Sequence, residues 1–404
     1  MVKMFRWAGL VCAGMMSVPA MAQAQKPWPV RTVIVTTFEK GADTGDKPGE
    51  LQLWAEREHL TEHVAFPGGV HDILTNPEHT EIAIVTGMTL VNAGPSIMAL
   101  GMDPRFDLTK AYWLVAGIAG ADPQVMSVGS AAWARYVVND VAQSIDMREV
   151  PKDWPYGVYA AGAVRPGTLE GSDQEHGPNA GYPIIFSLNA GLSHWAWERT
   201  QTVKLMNTPE MRTYSKGWAE YPAALKAPSV IQGDSFASDL YWHGHYLNQY
   251  ARDWVKMFTN AQGVFAMSNM EDSAIASAMV RLDRMKKADF QRLMVLRTAS
   301  NYTLPPKGRK AYETVSEEYS GDGLPAYEAA WRVGSVVVHE LAGHWSVYED
   351  HVPGCRIRAC RGSGSGISGQ WEDCITLCRD RASALCPSAY LDRLGWLATQ
   401  TYGY

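Results

Sequence analysis

The chain has 404 residues, of which 46% are hydrophobic and 19% charged, and its formal net charge is −6. Such a composition supports a sizeable buried core, while the negative charge and the lack of basic clusters in the body of the chain argue against a nucleic-acid partner. Beyond the N-terminus no stretch reaches about 18 uninterrupted apolar residues, so the sequence does not predict a helical membrane channel.

The N-terminus has the pattern of a secretory signal. Lys3 and Arg6 precede an apolar run that is too short to span a bilayer, and small residues at positions 20–22 form a cleavage site. We therefore expect residues 1–22 to be removed and the mature protein to lie in the periplasm. The alternative, an uncleaved membrane anchor, is disfavoured by the shortness of the apolar run.

Four strand patterns and two helix patterns dominate the first part of the mature chain. Strands are predicted at residues 31–39, 80–88, 111–123 and 129–142, and helices after Pro48 and Glu50 and at 92–103. This alternation of strand and helix favours a layered α/β domain over two all-α or all-β units.

The middle and last thirds of the chain differ in regularity. Residues 150–220 are rich in Gly, Pro, Trp and Tyr and have weak periodicity, which we interpret as a long ordered insertion or lid. Regular patterns return at 227–236, 261–282 and 290–303, and residues 327–350 have the apolar spacing of a last helix.

The C-terminal segment has its own composition. Five of the six cysteines lie between positions 355 and 386, and the sixth, Cys12, belongs to the signal. No CxxC pair occurs, and an odd number of cysteines cannot pair completely within one chain, although one or two disulfides suit a secreted protein. We therefore separate a main domain, residues 28–354, from residues 355–404, which are either a disulfide-stapled tail or an accreted or out-of-frame extension.

Two histidine motifs do not have the spacing of a metal site. His339 and His344 in "HELAGH" are five residues apart, about 140° around a helix, whereas the zinc-protease motif needs a spacing of four. His243 and His245 in "YWHGHY" share one side of a predicted strand, but no third ligand accompanies them. We expect surface or pocket-edge roles for these histidines, and neither a metal nor a cofactor. Nor is a GxSxG elbow or a Walker loop present, which excludes the serine-hydrolase and NTPase classes.

Five glycine-containing or polar turns follow the predicted strands. They are "VTGM", "VAGIAG", "QGDSF", "SNMED" and "TASNY". Ligands of open α/β sheets bind outside the carboxyl ends of the strands, so these turns together predict one site. In "SNMED", Glu271 and Asp272 lie where a strand is followed by a helix. One interpretation is that these acids stabilise the helix N-terminus through the helix dipole, with Asn269 as the N-cap residue. The other is that they bind a polar ligand such as the hydroxyls of a sugar.

The segments containing these turns resemble the nucleoside phosphorylase/nucleosidase superfamily: residues 85–100, 114–134, 231–236, 269–278 and 297–301, in this order. The loop "TTFEKGADTGDKPGELQLWAERE" and the signal narrow the resemblance to the purine nucleoside permease family, over residues 30 to about 350. It implies a three-layer nucleoside phosphorylase-like α/β domain with a central mixed sheet flanked by helices. It also implies purine nucleosides as ligands and a part in their uptake.

The resemblance assigns roles to individual residues. Met270 and Glu271 match a pair that packs against ribose, the carboxylate accepting hydrogen bonds from the hydroxyls. Asp272 stands where the enzymes usually have glycine. Phe236 matches an aromatic residue that stacks on the purine. Asn301 matches the position that reads purine N7, often an aspartate acting as general acid, and an asparagine can donate a hydrogen bond there but does not readily give up a proton.

The turn "VAGIAG" bears on whether the nucleophile is phosphate or water. Related phosphorylases place an arginine and a serine where Val115 and Ile118 stand, and a buried phosphate would be poorly paired without them. The turn instead resembles the nucleosidase form, which uses water, and its Gly117 and Gly120 are expected to contact the base.

A water nucleophile requires a general base, and the first loop offers three candidates, Glu39, Asp43 and Asp46. None of them aligns uniquely with the nucleosidase base, so all three remain catalytic candidates. The preferred hypothesis is a purine nucleosidase. The alternatives are a non-catalytic binding component that works with a separate inner-membrane transporter, and a phosphate-dependent phosphorylase. Homo-oligomers are common in this superfamily, which is an analogy at the level of the fold.

Overall fold

The structure is a computed structural model that describes residues 26–140, 142–172, 184–317 and 319–354. The signal predicted at residues 1–22 and the cysteine-rich segment 355–404 lie outside the described residues, and the interpretations given for them stay predictions.

The described residues form short and long strands in the following order. The strands are β1 (Trp28–Pro29), β2 (Thr32–Thr36), β3 (Glu62–Val64), β4 (Ile73–Thr75), β5 (Glu81–Val85), β6 (Phe106–Asp107), β7 (Tyr112–Ala121), β8 (Ala131–Trp133), β9 (Tyr136–Asn139), β10 (Ala142–Ser144), β11 (Val158–Ala160), β12 (Ile185–Ser187), β13 (Val230–Gln232), β14 (Asp234–Ala237), β15 (Phe265–Asn269) and β16 (Leu293–Tyr302).

Nine α-helices occur among the described residues. They are α1 (Gln52–Arg57), α2 (Leu90–Met102), α3 (Ala190–Thr200), α4 (Pro209–Ser215), α5 (His245–Phe258), α6 (Asp272–Arg284), α7 (Ala311–Thr314), α8 (Leu324–Gly343) and α9 (Trp345–Tyr348).

A mixed twelve-stranded sheet forms the centre of the described chain. Its main path runs β12-β9-β14-β15-β7-β2-β5-β4-β3, while β16 pairs with β7 and β8, and β13 pairs with β8. β2 lies parallel to β5 and β7, β16 is parallel to β7, and β15 is antiparallel to it. The long strand β7 thus connects the two halves of the sheet.

Helices cover both faces of this sheet. Successive side chains of a strand point to opposite faces, and β2 follows this rule. Val33 and Val35 join one core with apolar residues of α2 and α6, and Ile34 joins a second core with those of α1, α3 and α8. A third, aromatic cluster lies between α5 and strands β9, β14 and β15. The three-layer α/β architecture expected from the sequence is confirmed.

The structure differs from the sequence prediction mainly in the middle of the chain. Residues 150–220 contain α3 and α4, and α3 buries Leu192, Trp195 and Ala196. His243 and His245 do not share a strand, because His245 begins α5 and His243 lies in the loop before it. The helix predicted at 327–350 begins at Leu324 and is interrupted at His344.

The histidines of "HELAGH" lie on the surface of α8 and at its end. The side chain of His339 is 59% exposed, and its Nε2 lies 2.6 Å from Oε2 of Glu58. His344 is similarly exposed. None of the helices in the described ranges is both long enough and apolar enough to cross a bilayer.

A buried carboxyl at the start of β5 makes folding stability depend on pH. Burial, with the charge of nearby Glu58, raises the pKa of Glu81 from 4.5 to about 7. A group whose pKa is raised by folding contributes stability at low pH that is lost as the pH rises through the folded pKa. We therefore compare the free energy of unfolding of Glu81→Gln and wild type by urea unfolding at two pH values. The difference, variant minus wild type, should be about 2–3 kcal/mol larger at pH 8 than at pH 5.

Glu220→Gln is the matched control for this prediction, because Glu220 is exposed. It should shift the free energy of unfolding by the same small amount at both pH values. An equal effect of Glu81→Gln at pH 5 and pH 8 would contradict the prediction.

Candidate functional site

The site is built where β16 runs beside β7. In the register of these parallel strands Arg297 is paired with Gly117, and Asn301 with Gly120. A polar side chain of β16 therefore lies beside a glycine of β7 at each end of this edge. The two glycines that the sequence assigned to base contact are brought to the same edge as Asn301.

Arg297 is the centre of a buried charge cluster. Its side chain is 1% exposed, and its Nη2 lies 2.6 Å from Oδ1 of Asp272, 3.0 Å from Oε2 of Glu271, while its Nη1 lies 4.0 Å from Oε1 of Glu50. Its Nη1 also donates to the carbonyl of Ile118 at 3.0 Å. Burial alone would lower the pKa of Arg297, but the three carboxylates outweigh it and raise the pKa.

Gly117 leaves the space that this cluster occupies. A Cβ atom at position 117 would overlap Nη1 of Arg297 and lie 2.9 Å from Oε1 of Glu50. Both are buried charged groups held by several partners, so neither can move aside at little cost. The glycine is therefore required by the cluster, whatever contact it makes with a ligand.

Glu50 is the carboxyl of the cluster that the guanidinium compensates least. Its Oε2 accepts from the backbone N–H and the hydroxyl of Thr37 at 2.7 and 2.9 Å, and its Oε1 accepts from the N–H of Ile118 at 2.6 Å. Burial raises the pKa of Glu50 to about 7, Arg297 opposes this rise, and the charge of Glu271 adds to it. A carboxyl with such a pKa can accept a proton near neutral pH.

The acids after β15 serve both the helix and the cluster. Oδ1 of Asn269 accepts from the N–H groups of Glu271 and Asp272 at 3.2 and 2.9 Å, which caps α6. Asp272 is fully buried and accepts from Ser235 Oγ at 2.6 Å as well as from Arg297. It is therefore a charge partner in the core and not a solvated acid of the first turn.

Glu271 also contacts the turn before α2. The N–H of Thr89 donates to its Oε1 at 3.3 Å. Thr89 has φ of 76°, which for a β-branched residue costs on the order of 1–3 kcal/mol and is typical of functional turns. The next N–H, of Leu90, donates to Asp239 at 3.0 Å. The start of α2 is thus held between the loops that follow β14 and β15, beside the half-buried Met270.

The three candidate bases of the first loop lie in different surroundings. Glu39 accepts four backbone N–H groups, those of Lys40, Gly49, Leu51 and Gln52, and so caps the start of α1.

Asp43 lies 2.7 Å from Nε2 of His71, and Asp46 accepts from the N–H of Ala42 at 2.9 Å at an exposed position. Within the described residues, none of these three acids makes a hydrogen bond or ion pair with Arg297 or Glu271, so the structure does not bring them into the charge cluster.

Phe236 lies in the aromatic core. It is 1% exposed, and the rings of Trp242, Tyr250 and Phe265 meet it edge-on with centroids 5.8–6.1 Å away. In this arrangement Phe236 is a core residue, and its stacking on a purine stays a prediction.

Asn301 lines a narrow cleft with a cavity volume of about 10 Å³, room for about one water molecule, so the cleft would have to open to reach the ~300–1,000 Å³ of ligand pockets. Its Oδ1 accepts from Ser300 at 2.9 Å, and its Nδ2 donates to Tyr241 at 3.3 Å. Its Nδ2 also donates to the carbonyl of Tyr302 at 3.3 Å, so a purine acceptor would have to take the place of the Tyr241 hydroxyl. The remaining wall is largely aromatic: Tyr214, Trp218, Tyr302 and Tyr319.

Sequence reasoning missed Glu50 and Arg297. Glu50 was assigned only to the start of a helix, and Arg297 only to the motif "RTASN". One signal was present for the arginine, because a single charged residue within an otherwise apolar strand must be paired when the strand is buried. Nothing comparable identified its partners.

Comparison with known proteins gives the following relatives. Residues 29–353 match the model of the family described as purine nucleoside permease. A purine nucleoside permease of Candida albicans is 29% identical over 314 residues, 74% of each chain. A protein named as a probable purine nucleoside permease of Schizosaccharomyces pombe is 28% identical over 278 residues, 68% of this chain and 79% of its own length.

Solved structures of 5′-methylthioadenosine/S-adenosylhomocysteine nucleosidases also align. Those from Neisseria meningitidis and Helicobacter pylori cover 77% of this chain and 99% of their own, with 15% and 12% identity and TM-scores of 0.44 and 0.46. At these TM-scores the likeness carries no argument about this chain.

Proposed function

Because this chain belongs to the purine nucleoside permease family, we propose that it binds purine nucleosides in the periplasm and hydrolyses their N-glycosidic bond. The observation that carries the proposal is the buried cluster of Arg297, Glu271, Asp272 and Glu50, in which one carboxyl has a pKa of about 7. A buried charge cluster with a shifted pKa is expensive to maintain and is typical of a catalytic site.

In the proposed complex Glu271 accepts hydrogen bonds from the ribose hydroxyls, Met270 packs against the sugar, and Asn301 donates to the purine. Arg297 holds Glu271 in place with a contact of 3.0 Å. Glu50 takes a proton from the attacking water. We assign the base to Glu50 and not to the first-loop acids, because Glu50 lies 4.0 Å from Arg297 within the cluster and its pKa is raised to about 7.

Water is favoured over phosphate as the nucleophile. The guanidinium of Arg297 lies against three carboxylates and is 1% exposed, so it is not available to pair with a phosphate. A dianion placed here would face a surplus of negative charge. This supports hydrolysis. The turn with Val115 and Ile118 supports it as well, because it lacks the arginine and serine that related phosphorylases place there.

The contribution to uptake would be indirect. The protein captures the nucleoside, or releases a base that a separate inner-membrane transporter imports. Periplasmic location follows from the predicted signal, and fractionation of expressing cells, with and without residues 1–22, tests it.

The proposed activity is tested by chromatography of inosine, adenosine and guanosine incubated with the purified mature protein. We expect free base to appear in phosphate-free buffer and added phosphate to leave the rate unchanged. Free base formed only with phosphate would establish a phosphorylase. Intact nucleoside in every sample, together with saturable binding, would leave a non-catalytic binding protein.

A further inference from the structure

The cleft at Asn301 contains a histidine that has no role in the mechanism above. His243 lies in the loop between β14 and α5 and lines the same cleft. Its Nε2 is 2.8 Å from Oγ1 of Thr314. That hydroxyl lies 3.4 Å from the carbonyl of Lys310 and 3.5 Å from that of Ala311. Since the hydroxyl donates to a carbonyl, its oxygen accepts from Nε2–H, and Nδ1 is the nitrogen left to gain or lose a proton.

The Nδ1 atom is buried and makes no hydrogen bond of normal geometry with the part of the chain that is described. The carbonyl of Tyr302 lies near the ring and favours its protonated form more than Glu317 does, without the geometry of a normal hydrogen bond. Buried polar atoms are nearly always satisfied, so an exception on a cleft wall calls for a partner such as a water molecule, an ion or a ligand. A purine offers ring nitrogens that accept hydrogen bonds or protons.

The other titratable groups around His243 are poorer proton donors near neutral pH. Burial raises the pKa of Tyr214 and Tyr319 on the cleft wall. Glu317 is half-exposed and paired with Arg309 at 2.9 Å. Burial lowers the pKa of His243 below 6.5, Glu317 partly offsets this, and His245 adds to it. A lower pKa makes the imidazolium a stronger acid, although a smaller fraction is protonated.

We propose that His243 is the general acid that protonates the departing purine, the step that Asn301 cannot perform. The inference rests on the proposed hydrolysis. The C1′–N9 bond breaks and its electron pair goes to the purine, which takes the proton from Nδ1 of the His243 imidazolium. The oxygen of water bonds to C1′ and its proton passes to Glu50. Solvent then returns a proton to His243 and removes one from Glu50, so the net reaction consumes one water.

The test compares two nucleosides that differ in whether the base needs a proton to leave. Guanosine needs one, whereas 7-methylguanosine carries a positive charge on its base and leaves without one. General acid catalysis contributes about 10²–10⁴-fold. For His243→Gln we expect kcat/KM to fall at least ~100-fold on guanosine and less than about threefold on 7-methylguanosine.

His245→Gln is the matched control, because His245 is exposed and lies outside the cleft wall. It should retain wild-type rates on both substrates. Equal losses of the His243→Gln variant on both substrates, or no loss on either, would overturn the role of His243 while leaving hydrolysis intact. If the wild-type protein cleaves neither nucleoside, the proposed function itself fails, and the role of His243 fails with it.

Discussion

Glu50→Gln is expected to lower kcat for nucleoside hydrolysis by about 10²–10⁴-fold while the dissociation constant changes by less than about threefold. Glutamine has the shape of glutamate and keeps an oxygen that can accept from Thr37 or Ile118, but it cannot take a proton from water. Single-turnover assays with inosine or guanosine, together with calorimetric binding, separate the two quantities.

The same substitution gives an internal check on folding. The pKa of Glu50 is raised from 4.5 to about 7, so the wild type loses stability as the pH rises through this range, whereas the glutamine variant does not. It also lowers the surplus negative charge around Arg297. The variant should therefore be at least as stable as the wild type at pH 8, measured by urea unfolding.

Two matched variants test two of the three first-loop candidates against Glu50. Asp43→Asn and Asp46→Asn remove carboxylates of the first loop that have no contact with the charge cluster among the described residues. Both should keep the wild-type kcat. Loss of kcat in either variant, with full activity in Glu50→Gln, would return the base to the first loop.

The parts of the fold that could be predicted are those with a strong local pattern. β5 with α2, the long strand β7, and β15 with α6 lie close to where the sequence patterns placed them, because their apolar residues are contiguous or recur at the spacing of the element. Helices α3 and α5 were missed. In α3 the apolar face is weak, whereas in α5 Tyr250, Ala251, Trp254, Val255 and Phe258 do recur at helical spacing, so that pattern was present in the sequence.

The position of the candidate site could be predicted from the sequence, but the charge cluster on which the proposed mechanism depends could not. The strand-end turns identified the edge where Asn301, Gly117 and Gly120 meet, since the carboxyl ends of strands converge in such sheets. The charge cluster joins Glu50 to Arg297, residues far apart in the chain that belong to different elements. Periodicity describes neighbours along one element, so it contains no information about such a contact.

Arg297→Met is expected to destabilise the protein by about 3–5 kcal/mol at pH 7, since it leaves buried carboxylates without their cation. Asp272 is fully buried and Glu271 is 4% exposed, so water cannot solvate their charges. Lowering the pH to 5 should recover part of the loss, because protons neutralise the carboxylates in place of the guanidinium. Urea unfolding at the two pH values measures this.

Arg292→Met distinguishes the charge cluster from the loss of any buried arginine. Arg292 is equally buried, but it donates mainly to backbone carbonyls, those of Lys110, Tyr348 and Glu349, with Asp289 as its acidic partner. Its substitution should cost hydrogen bonds without leaving buried carboxylates together, and acid should not recover that loss.

The double variant Arg297→Met/Asp272→Asn separates the cost of uncompensated charge from the cost of lost packing. Asparagine keeps an oxygen for the hydroxyl of Ser235, which lies 2.6 Å from Asp272, and it removes the most deeply buried of the unpaired charges. If the cost of Arg297→Met comes from uncompensated charge, the double variant should be more stable than the single one. If both variants are equally unstable at every pH, lost packing explains the effect, and the arginine would then be a structural residue instead of the counter-charge that allows three carboxylates to share one buried site.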